Sequence, residues 1–271
     1  MRHTFDGDID INGALLHVTV AGEGAPIVLV HSGITDSGMW DAQLAPFAAH
    51  RVVTHDLRGF GRSTIPAAEY AHHEDLRSLL DAVDVAFVGA SFGGDVVLAF
   101  AVQYPERVEA LVLVDTLAGM AEPSPELRSG WRAVEAALES GSFDAAVELE
   151  LRMWVDGPHR SAGDVDRDVR ERVRAMDATL LRRAAEQDAA TEREPEPPVL
   201  GRLGTITAPA LVVVGALDLP DALASADVLV AGIPDARRLD IPGTAHLPSM
   251  ERPDIFNPAV LASIDDVNKP R

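Results

Sequence analysis

A serine lies at the centre of residues 89–93, whose sequence GASFG fits the pattern G-x-S-x-G. The apolar residues 85–88 before it predict a buried strand, and residues 94–101 after it predict a helix. A serine on such a sharp strand-to-helix turn has a strained backbone and an exposed hydroxyl, and small neighbours leave the room that this turn needs. The segment therefore predicts Ser91 as a nucleophile.

An acid and a histidine follow Ser91 along the chain, each after a predicted strand. The apolar run 210–214 leads into the sequence GALD, which ends at Asp218, and residues 238–241 lead through a turn to His246. A serine hydroxyl is a weak nucleophile unless a neighbouring base takes its proton. A histidine acts as that base when a carboxylate orients its ring and stabilises its charged form. We therefore expect Ser91 to attack, His246 to move the proton and Asp218 to orient His246.

Further segments fit the same pattern of motifs. Residues 27–30 predict a strand that leads into residues 31–33, HSG, while residues 56–63 read DLRGFGRS and residues 104–108 read YPERV. Together with GASFG and the order serine, acid, histidine, these motifs resemble the α/β-hydrolase superfamily, specifically its capped esterase, lactonase and epoxide-hydrolase-like branch. The resemblance extends from about residue 27 to residue 256, apart from the middle of the chain.

The predicted strands and helices agree with the fold that this resemblance implies. A hairpin with the turn Asn12-Gly13 comes first, and then short, uniformly apolar strands alternate with helices, which indicates a parallel sheet covered on both faces. We expect an α/β-hydrolase fold with a mostly parallel eight-stranded sheet, built from residues 1–118 and 205–271. The resemblance implies that residues 119–204 form a helical cap inserted after the sixth strand.

Three amphipathic helices are predicted within this middle segment. The first begins with Ser124 as its N-cap and a proline at its first position. The second begins at Ser142 and ends at Gly157, and the third carries an apolar stripe from Val165 to Leu180. The cap does not have to be an independent domain, because a few helices packed over the edge of the sheet are sufficient.

Two other aspartates compete with Asp218 for the role of the acid. Asp115 ends the apolar strand 111–114, and some members of the superfamily take their acid from that position. Asp221 is a weaker competitor, because it lies too far past the strand end. The G-x-x-D setting of Asp218 matches the commoner arrangement, while Asp115 as a structural carboxylate remains the alternative reading.

The resemblance also implies two backbone donors for the negative charge that develops on a reacting carbonyl oxygen. These are the N–H groups of Phe92, directly after the nucleophile, and of Gly33, in the loop after the first apolar strand. The family usually has His-Gly followed by a larger residue, whereas this chain has His31, Ser32 and Gly33. Backbone N–H donors do not depend on the side chain, so this difference leaves them available. We expect the His31 side chain to brace the loop.

A serine nucleophile selects among the chemistries of this superfamily. Epoxide hydrolases and haloalkane dehalogenases use an aspartate there, so Ser91 favours an acyl-enzyme from a small to medium, apolar carboxylic ester or lactone. Cleavage of a C–C bond by the same residues, and a ligand receptor on a hydrolase fold, remain alternatives. Candidate pocket residues, for which ordinary packing is the alternative, are Ser32, Ile34, Trp131, Met153, Trp154 and Leu247.

Two other motifs are weak signals for metals or cofactors. His72 and His73 are adjacent, so on a helix they point in different directions, and we expect a solvated helix start there. Residues 59–61, GFG, lack the third glycine and the acidic partner of a dinucleotide site and predict a turn near the rim of the active site. We expect no cofactor and no metal.

Composition narrows the range of partners. A formal net charge of −20 argues against binding of nucleic acid or of anionic membrane surfaces, which leaves a small-molecule substrate. The chain has no cysteine, and its first residues lack the apolar core of a signal peptide, so we expect a cytoplasmic protein. Its oligomeric state, monomer or homodimer, stays open.

Overall fold

An eight-stranded sheet forms the centre of the protein. The computed structural model describes residues 3–66, 68–80, 83–120, 122–186, 190–193, 195–196 and 198–267. The sheet contains β1 (His3–Ile11), β2 (Ala14–Ala21), β3 (Pro26–Val30), β4 (Arg51–His55), β5 (Val85–Ala90), β6 (Val108–Val114), β7 (Ala210–Gly215) and β8 (Ala236–Ile241). Their spatial order is β1-β2-β4-β3-β5-β6-β7-β8. β2 pairs antiparallel with β1 and β4, and all other pairs are parallel, which confirms the predicted sheet.

Helices connect the strands. They are α1 (Asp41–Leu44), α2 (His72–Leu80), α3 (Phe92–Gln103), α4 (Pro125–Glu139), α5 (Phe143–Glu150), α6 (Arg167–Glu186), α7 (Pro220–Gly232), α8 (Pro248–Glu251) and α9 (Pro253–Val267). A π-helix, Leu151–Asp156, directly continues α5. Short 3-10 helices span Ser37–Trp40, Pro105–Arg107, Ala162–Asp164 and Val199–Thr205, and a two-stranded sheet pairs Glu69–Tyr70 with Thr191–Glu192.

The uniformly apolar strands are buried on both faces. In β3, Ile27 and Leu29 belong to one hydrophobic cluster and Val28 and Val30 to another, because successive side chains point to opposite faces. The first cluster includes α9 and the second includes α3 and α7. This two-sided burial is the reason why the parallel strands show no alternation of polar and apolar residues.

The N-terminal hairpin forms at the predicted turn. Asn12 and Gly13 have φ angles of 50° and 79°, and Ile11 pairs with Ala14 across the two strands. Two successive residues in this left-handed region give a turn whose twist matches that of the strands.

Residues 119–204, which we call the helical insert, follow β6. Ser124 caps α4 as predicted, because its side chain accepts a hydrogen bond from the Leu127 N–H at 3.1 Å. α5 begins with Ser142 at its N-cap position, which agrees with the predicted helix start, although the Ser142 side chain makes no capping hydrogen bond. Gly157, with a φ of 71°, ends the π-helix.

The third insert helix is shifted relative to its predicted stripe. α6 begins at Arg167, so Val165 lies before the helix rather than in it. Residues 121, 187–189, 194 and 197 of the insert lie outside the described residues. The apolar side chains of the insert join the first hydrophobic cluster of the sheet, among them Leu127, Val147, Leu151, Val155 and Val173. Among the helices that the structure describes, none has both the length and the apolar character needed to cross a membrane.

Candidate active site

Ser91 is held in a strained conformation between β5 and α3. Its φ is 50° and its ψ is −117°. The Ser91 N–H donates to the Val114 carbonyl oxygen at 2.7 Å, and its own carbonyl oxygen accepts from the Asp95 N–H at 3.0 Å. These bonds from the neighbouring strand and the following helix hold a backbone geometry that a serine would not adopt alone.

The glycines around Ser91 are required by close backbone contacts. A methyl group at Gly93 would overlap the carbonyl oxygens of Val30 and His31, and one at Gly89 would lie 2.5 Å from the Gly93 carbonyl oxygen. Neither contact can be relieved by moving the end of a flexible side chain. The turn therefore brings α3 directly against β3.

We expect Gly93→Ala to destabilise the protein by about 1–3 kcal/mol, because the added methyl group overpacks fixed backbone atoms. For a chain of this size, that lowers Tm by about 2–10 °C. Thermal unfolding followed by circular dichroism measures the change. The control is Gly201→Ala, since a Cβ at Gly201 meets no atom within 4 Å. Equal Tm values for the two variants would contradict the prediction.

Ser91, His246 and Asp218 form a continuous chain of hydrogen bonds. His246 Nε2 lies 2.8 Å from Ser91 Oγ, and His246 Nδ1 lies 2.7 Å from Asp218 Oδ2. Asp218 is fully buried and His246 nearly so. Because the Asp218 carboxylate accepts, Nδ1 is the ring nitrogen that donates, and Nε2 is left to accept from the Ser91 hydroxyl.

Turns after β7 and β8 bring the acid and the histidine together. The Asp218 N–H donates to the Gly215 carbonyl oxygen at 3.0 Å, and the Leu219 N–H donates to Asp218 Oδ1 at 2.7 Å. The Leu217 N–H donates to the Thr244 carbonyl oxygen at 2.9 Å, which joins the two turns. The Asp218 carboxylate is thus oriented by the Leu219 N–H on one oxygen and by His246 Nδ1 on the other.

Asp115 lies close to these three residues, but His246 Nδ1 is hydrogen-bonded to Asp218 and not to Asp115. Its Oδ1 accepts from the Gly215 N–H at 2.9 Å, and its backbone φ is 46°. Burial, together with the charge of Asp218, raises the pKa of Asp115 well above its usual value. This environment favours the uncharged form of the Asp115 carboxyl group. Asp221, the other alternative acid, instead accepts from the Ser124 N–H at the start of α4.

Among the described residues, Asp115, Asp218 and His246 form one group of side chains with potential metal-ligand atoms within 4.8 Å of one another. The ligand atoms of Asp218 and His246 are engaged with each other, and Asp115 Oδ1 is engaged with a backbone N–H. This donor set is already used by the hydrogen bonds that orient His246. The expectation of no metal and no cofactor stays a prediction.

A cavity of about 370 Å³ opens beside Ser91. In the described part of the chain, the N–H groups of Phe92 and Gly33 make no hydrogen bond to another protein group. The lining residues are Ser32, Gly33, Ile34, Phe60, Ser91, Phe92, Asp95, Leu117, Glu150, Trp154 and His246.

The cavity contains three of the six pocket residues named from the sequence. Ser32, Ile34 and Trp154 line it, whereas Trp131, Met153 and Leu247 do not. Trp131 is 38% exposed, and Leu247 is buried at the start of α8. The Met153 sulfur packs closely against Gly130 of α4.

Sequence reasoning missed four lining residues. They are Phe60, Asp95, Leu117 and Glu150. A signal existed for Phe60, since the predicted turn of residues 59–61 does lie at the cavity, with φ angles of 86° for Gly59 and 46° for Gly61. Glu150 lies one helical turn before Trp154, a spacing that places the two side chains next to each other.

The π-helix of the insert places Trp154 against His246. The centroids of the two rings lie 4.5 Å apart. The backbone N–H of His246 donates to the Trp154 carbonyl oxygen at 3.2 Å. The Trp154 Nε1–H donates to Glu150 Oε2 at 2.6 Å. A π-helical segment often occurs at functional sites because the extra residue per turn redirects the side chains.

Arg160 of the insert holds the loop that carries His246. Its guanidinium donates to the Gly243 carbonyl oxygen at 2.8 Å and to Glu251 Oε2 at 2.5 Å. Glu251 Oε1 in turn accepts from the Ala245 N–H at 3.1 Å. The Arg160 and Glu251 side chains are both buried, so water does not screen this ion pair strongly.

His31 braces the loop of Gly33, as expected. The Leu57 N–H donates to His31 Nε2 at 2.9 Å, so Nδ1 carries the proton and donates to the Ser32 carbonyl oxygen at 2.9 Å. Complete burial lowers the pKa of His31 and keeps the ring neutral.

The prediction of a solvated helix start at His72 is wrong. His72 is 3% exposed, and its ring stands edge-on to Tyr70 and Phe92, with centroids 5.1 and 5.3 Å away. Burial lowers the pKa of His72 to about 3. In the same helix, the Asp75 carboxylate forms a buried ion pair with Arg58, so this end of α2 is part of the core.

Comparisons with known proteins agree with this architecture. The family described as alpha/beta hydrolase fold matches residues 25–253. The 3-oxoadipate enol-lactonase 2 of Acinetobacter baylyi is 27% identical over 94% of both chains. The enol-lactonase from Burkholderia xenovorans LB400 superposes with a TM-score of 0.77, at 28% identity over 95% of this chain and 99% of that one.

A third similar structure is a thermophilic esterase from Thermogutta terrifontis, with a TM-score of 0.77 and 26% identity over 99% of this chain and 100% of that one. The family match covers most of the chain, and the relatives cover nearly its whole length. The chain therefore belongs to the alpha/beta hydrolase fold family, and it is a hydrolase.

Proposed function

We propose that the protein hydrolyses a small to medium carboxylic ester or lactone through an acyl-enzyme on Ser91. The observation that carries this proposal is the hydrogen-bonded chain from Ser91 Oγ through His246 to Asp218, at 2.8 and 2.7 Å, next to a cavity of about 370 Å³. A cavity of this size fits a small molecule. The similarity to enol-lactonases and to an esterase supports the same class of substrate.

The proposed reaction begins with proton transfer from Ser91 Oγ to His246 Nε2 as Oγ attacks the substrate carbonyl carbon. Asp218 keeps the ring in the correct tautomer and stabilises the imidazolium. The N–H groups of Phe92 and Gly33 receive the oxyanion. His246 then protonates the leaving oxygen, and a water molecule activated by the same nitrogen hydrolyses the acyl-enzyme. With a lactone, the leaving oxygen stays attached to the acyl group.

We further propose that residues 119–204 act as a cap, with a core of residues 1–118 and 205–271. Glu150 and Trp154 line the cavity from the insert, opposite Ser91 and Phe92 of the core. Substrate preference therefore depends on side chains of both parts.

Labelling with a fluorophosphonate probe tests the proposal. We expect one phosphonyl group per chain, located on Ser91 by peptide mass spectrometry, because only an activated serine hydroxyl displaces the fluoride. Ser32→Ala is a matched control, since Ser32 lines the same cavity outside the hydrogen-bonded chain, and it should keep the label on Ser91. No adduct in folded protein, together with stoichiometric ligand binding, would favour a receptor instead.

A further inference from the structure

The active-site cavity has an unusual combination of walls. Aromatic rings come from Phe60, Phe92 and Trp154, and carboxylates come from Glu150 and Asp95. Among the described lining residues there is no lysine and no arginine, and His246 is engaged with Ser91 and Asp218. The walls thus combine aromatic rings with carboxyl groups.

The aromatic rings are held in place by one another. The Phe60 and Phe92 rings lie 6.1 Å apart and are inclined by 26°, so they stack along one wall. The Trp154 ring packs on His246 on another side of the cavity. The face of an aromatic ring is negative, so such rings attract a cation that lies within about 6 Å of them.

Glu150 is fixed in the cavity wall with one oxygen unengaged. Its Oε2 accepts from the Trp154 Nε1–H at 2.6 Å. Across the described residues, no protein group donates to its Oε1. A carboxylate that is partly removed from water is costly unless a positive partner lies beside it.

A second carboxyl group lies near Glu150. Asp177 of α6 is 1% exposed, and neither of its oxygens has a hydrogen-bond partner among the described residues. Burial, and after it the charge of Glu150, raises the pKa of Asp177 to about 8. Asp177 is thus mostly protonated at pH 7. Burial also raises the pKa of Glu150, and no basic side chain lies among the described contacts of Glu150. A cation bound beside Glu150 would favour its charged form.

We propose that the substrate carries a cationic group, a quaternary or protonated amine, which binds between the aromatic rings and the Glu150 carboxylate. This inference rests on the proposed ester hydrolysis and narrows its substrate class. The Glu150 carboxylate provides charge complementarity, and the rings stabilise a cation that has lost its water. The same walls repel a substrate carboxylate, and the net charge of −20 adds to this repulsion at low ionic strength.

Two pairs of esters that differ only in charge test the inference. In the first pair, the charge is in the acyl part: p-nitrophenyl 4-(trimethylammonio)butanoate against p-nitrophenyl 5,5-dimethylhexanoate. In the second, it is in the alcohol: choline butanoate against 3,3-dimethylbutyl butanoate. We expect the cationic member of at least one pair to have a kcat/KM about tenfold higher, the effect of a partly desolvated cation–π and ion-pair contact.

Glu150→Gln should reduce the preference to about twofold or less, because the amide oxygen still accepts from Trp154 Nε1 but has no charge. Glu139→Gln is the matched control, since it makes the same charge change at an exposed position on α4 and should keep the full preference. The ratio of the two kcat/KM values is the readout, so a general loss of activity does not affect it.

The outcomes separate this inference from the proposed function. Equal rates within both pairs, with both dependent on Ser91, would overturn the cation site and leave ester hydrolysis intact. If no ester is turned over, the proposed function fails, and calorimetry with butyltrimethylammonium decides about the site. The cation site is supported if the wild type binds this cation and Glu150→Gln binds it with an affinity about tenfold lower. It is overturned if the wild type does not bind the cation, or if the two proteins bind it equally well.

Discussion

Ser91→Ala is expected to lower kcat/KM for any accepted ester by about 10⁴- to 10⁶-fold, because the remaining groups provide only binding and oxyanion stabilisation. The substitution removes the single oxygen that lies 2.8 Å from His246 Nε2. A chromogenic ester provides the assay, and residual turnover is measured with protein prepared separately from the wild type to avoid carry-over.

The loss must not come from unfolding. Alanine and serine have the same backbone constraints, and the Ser91 N–H and carbonyl hydrogen bonds do not involve the hydroxyl. Tm should therefore stay within about 3 °C of the wild type, which corresponds to about 1 kcal/mol. A variant that keeps this Tm and also keeps more than a tenth of the wild-type rate would refute Ser91 as the nucleophile.

Asp218→Asn should lower kcat by about 10⁴-fold, because an amide at this position stabilises the wrong tautomer of His246. The Asp218 carboxylate accepts from His246 Nδ1 at 2.7 Å and is fully buried, so no water can take its place easily. Steady-state kinetics with the same ester measures the loss.

Asp115→Asn is the matched control for this prediction. Burial raises the pKa of Asp115 well above its usual value, so the folded protein favours the uncharged form of this group, and an amide at the same position is uncharged as well. We expect a kcat within about tenfold of the wild type. A raised pKa in the folded state means that the wild type loses stability as the pH increases above the ordinary pKa of an aspartate, so the Tm of Asp115→Asn relative to the wild type should rise with pH. If Asp115→Asn lowered kcat by much more than Asp218→Asn, the acid would be Asp115.

The fold could be predicted from the sequence because its signals are local. The apolar runs, the Asn12-Gly13 turn and the GASFG turn depend only on neighbouring residues, and the structure places each as expected. The order of Ser91, Asp218 and His246 could be predicted for the same reason, since each residue follows its own strand.

The cavity was harder to predict because it depends on which distant segments meet. Phe60, Asp95, Leu117 and Glu150 come from four different segments of the chain. Trp131 and Trp154 are both aromatic residues on insert helices, yet one is exposed and the other lines the cavity. Trp154 lies on the π-helix, and no pattern in the sequence indicates the side-chain directions that a π-helix gives.

His72 shows the same limit in the core. Its neighbours along the chain are polar, which suggested a solvated helix start. Its burial comes from Phe92 on α3 and from the Arg58–Asp75 ion pair that brings α2 onto the sheet. Long-range contacts of this kind override local polarity.

The contacts of Arg160 and Trp154 with the His246 loop bear on how new specificities could be engineered. The insert, which lines the cavity, also supports the loop of the proposed base, through the Gly243 carbonyl, Glu251 and the backbone N–H of His246. Grafting this segment as a module from a relative would therefore change selectivity and turnover together. Glu150→Gln keeps an acceptor for the Trp154 Nε1–H and touches none of the Arg160 contacts, so it offers the safer route to a changed substrate range.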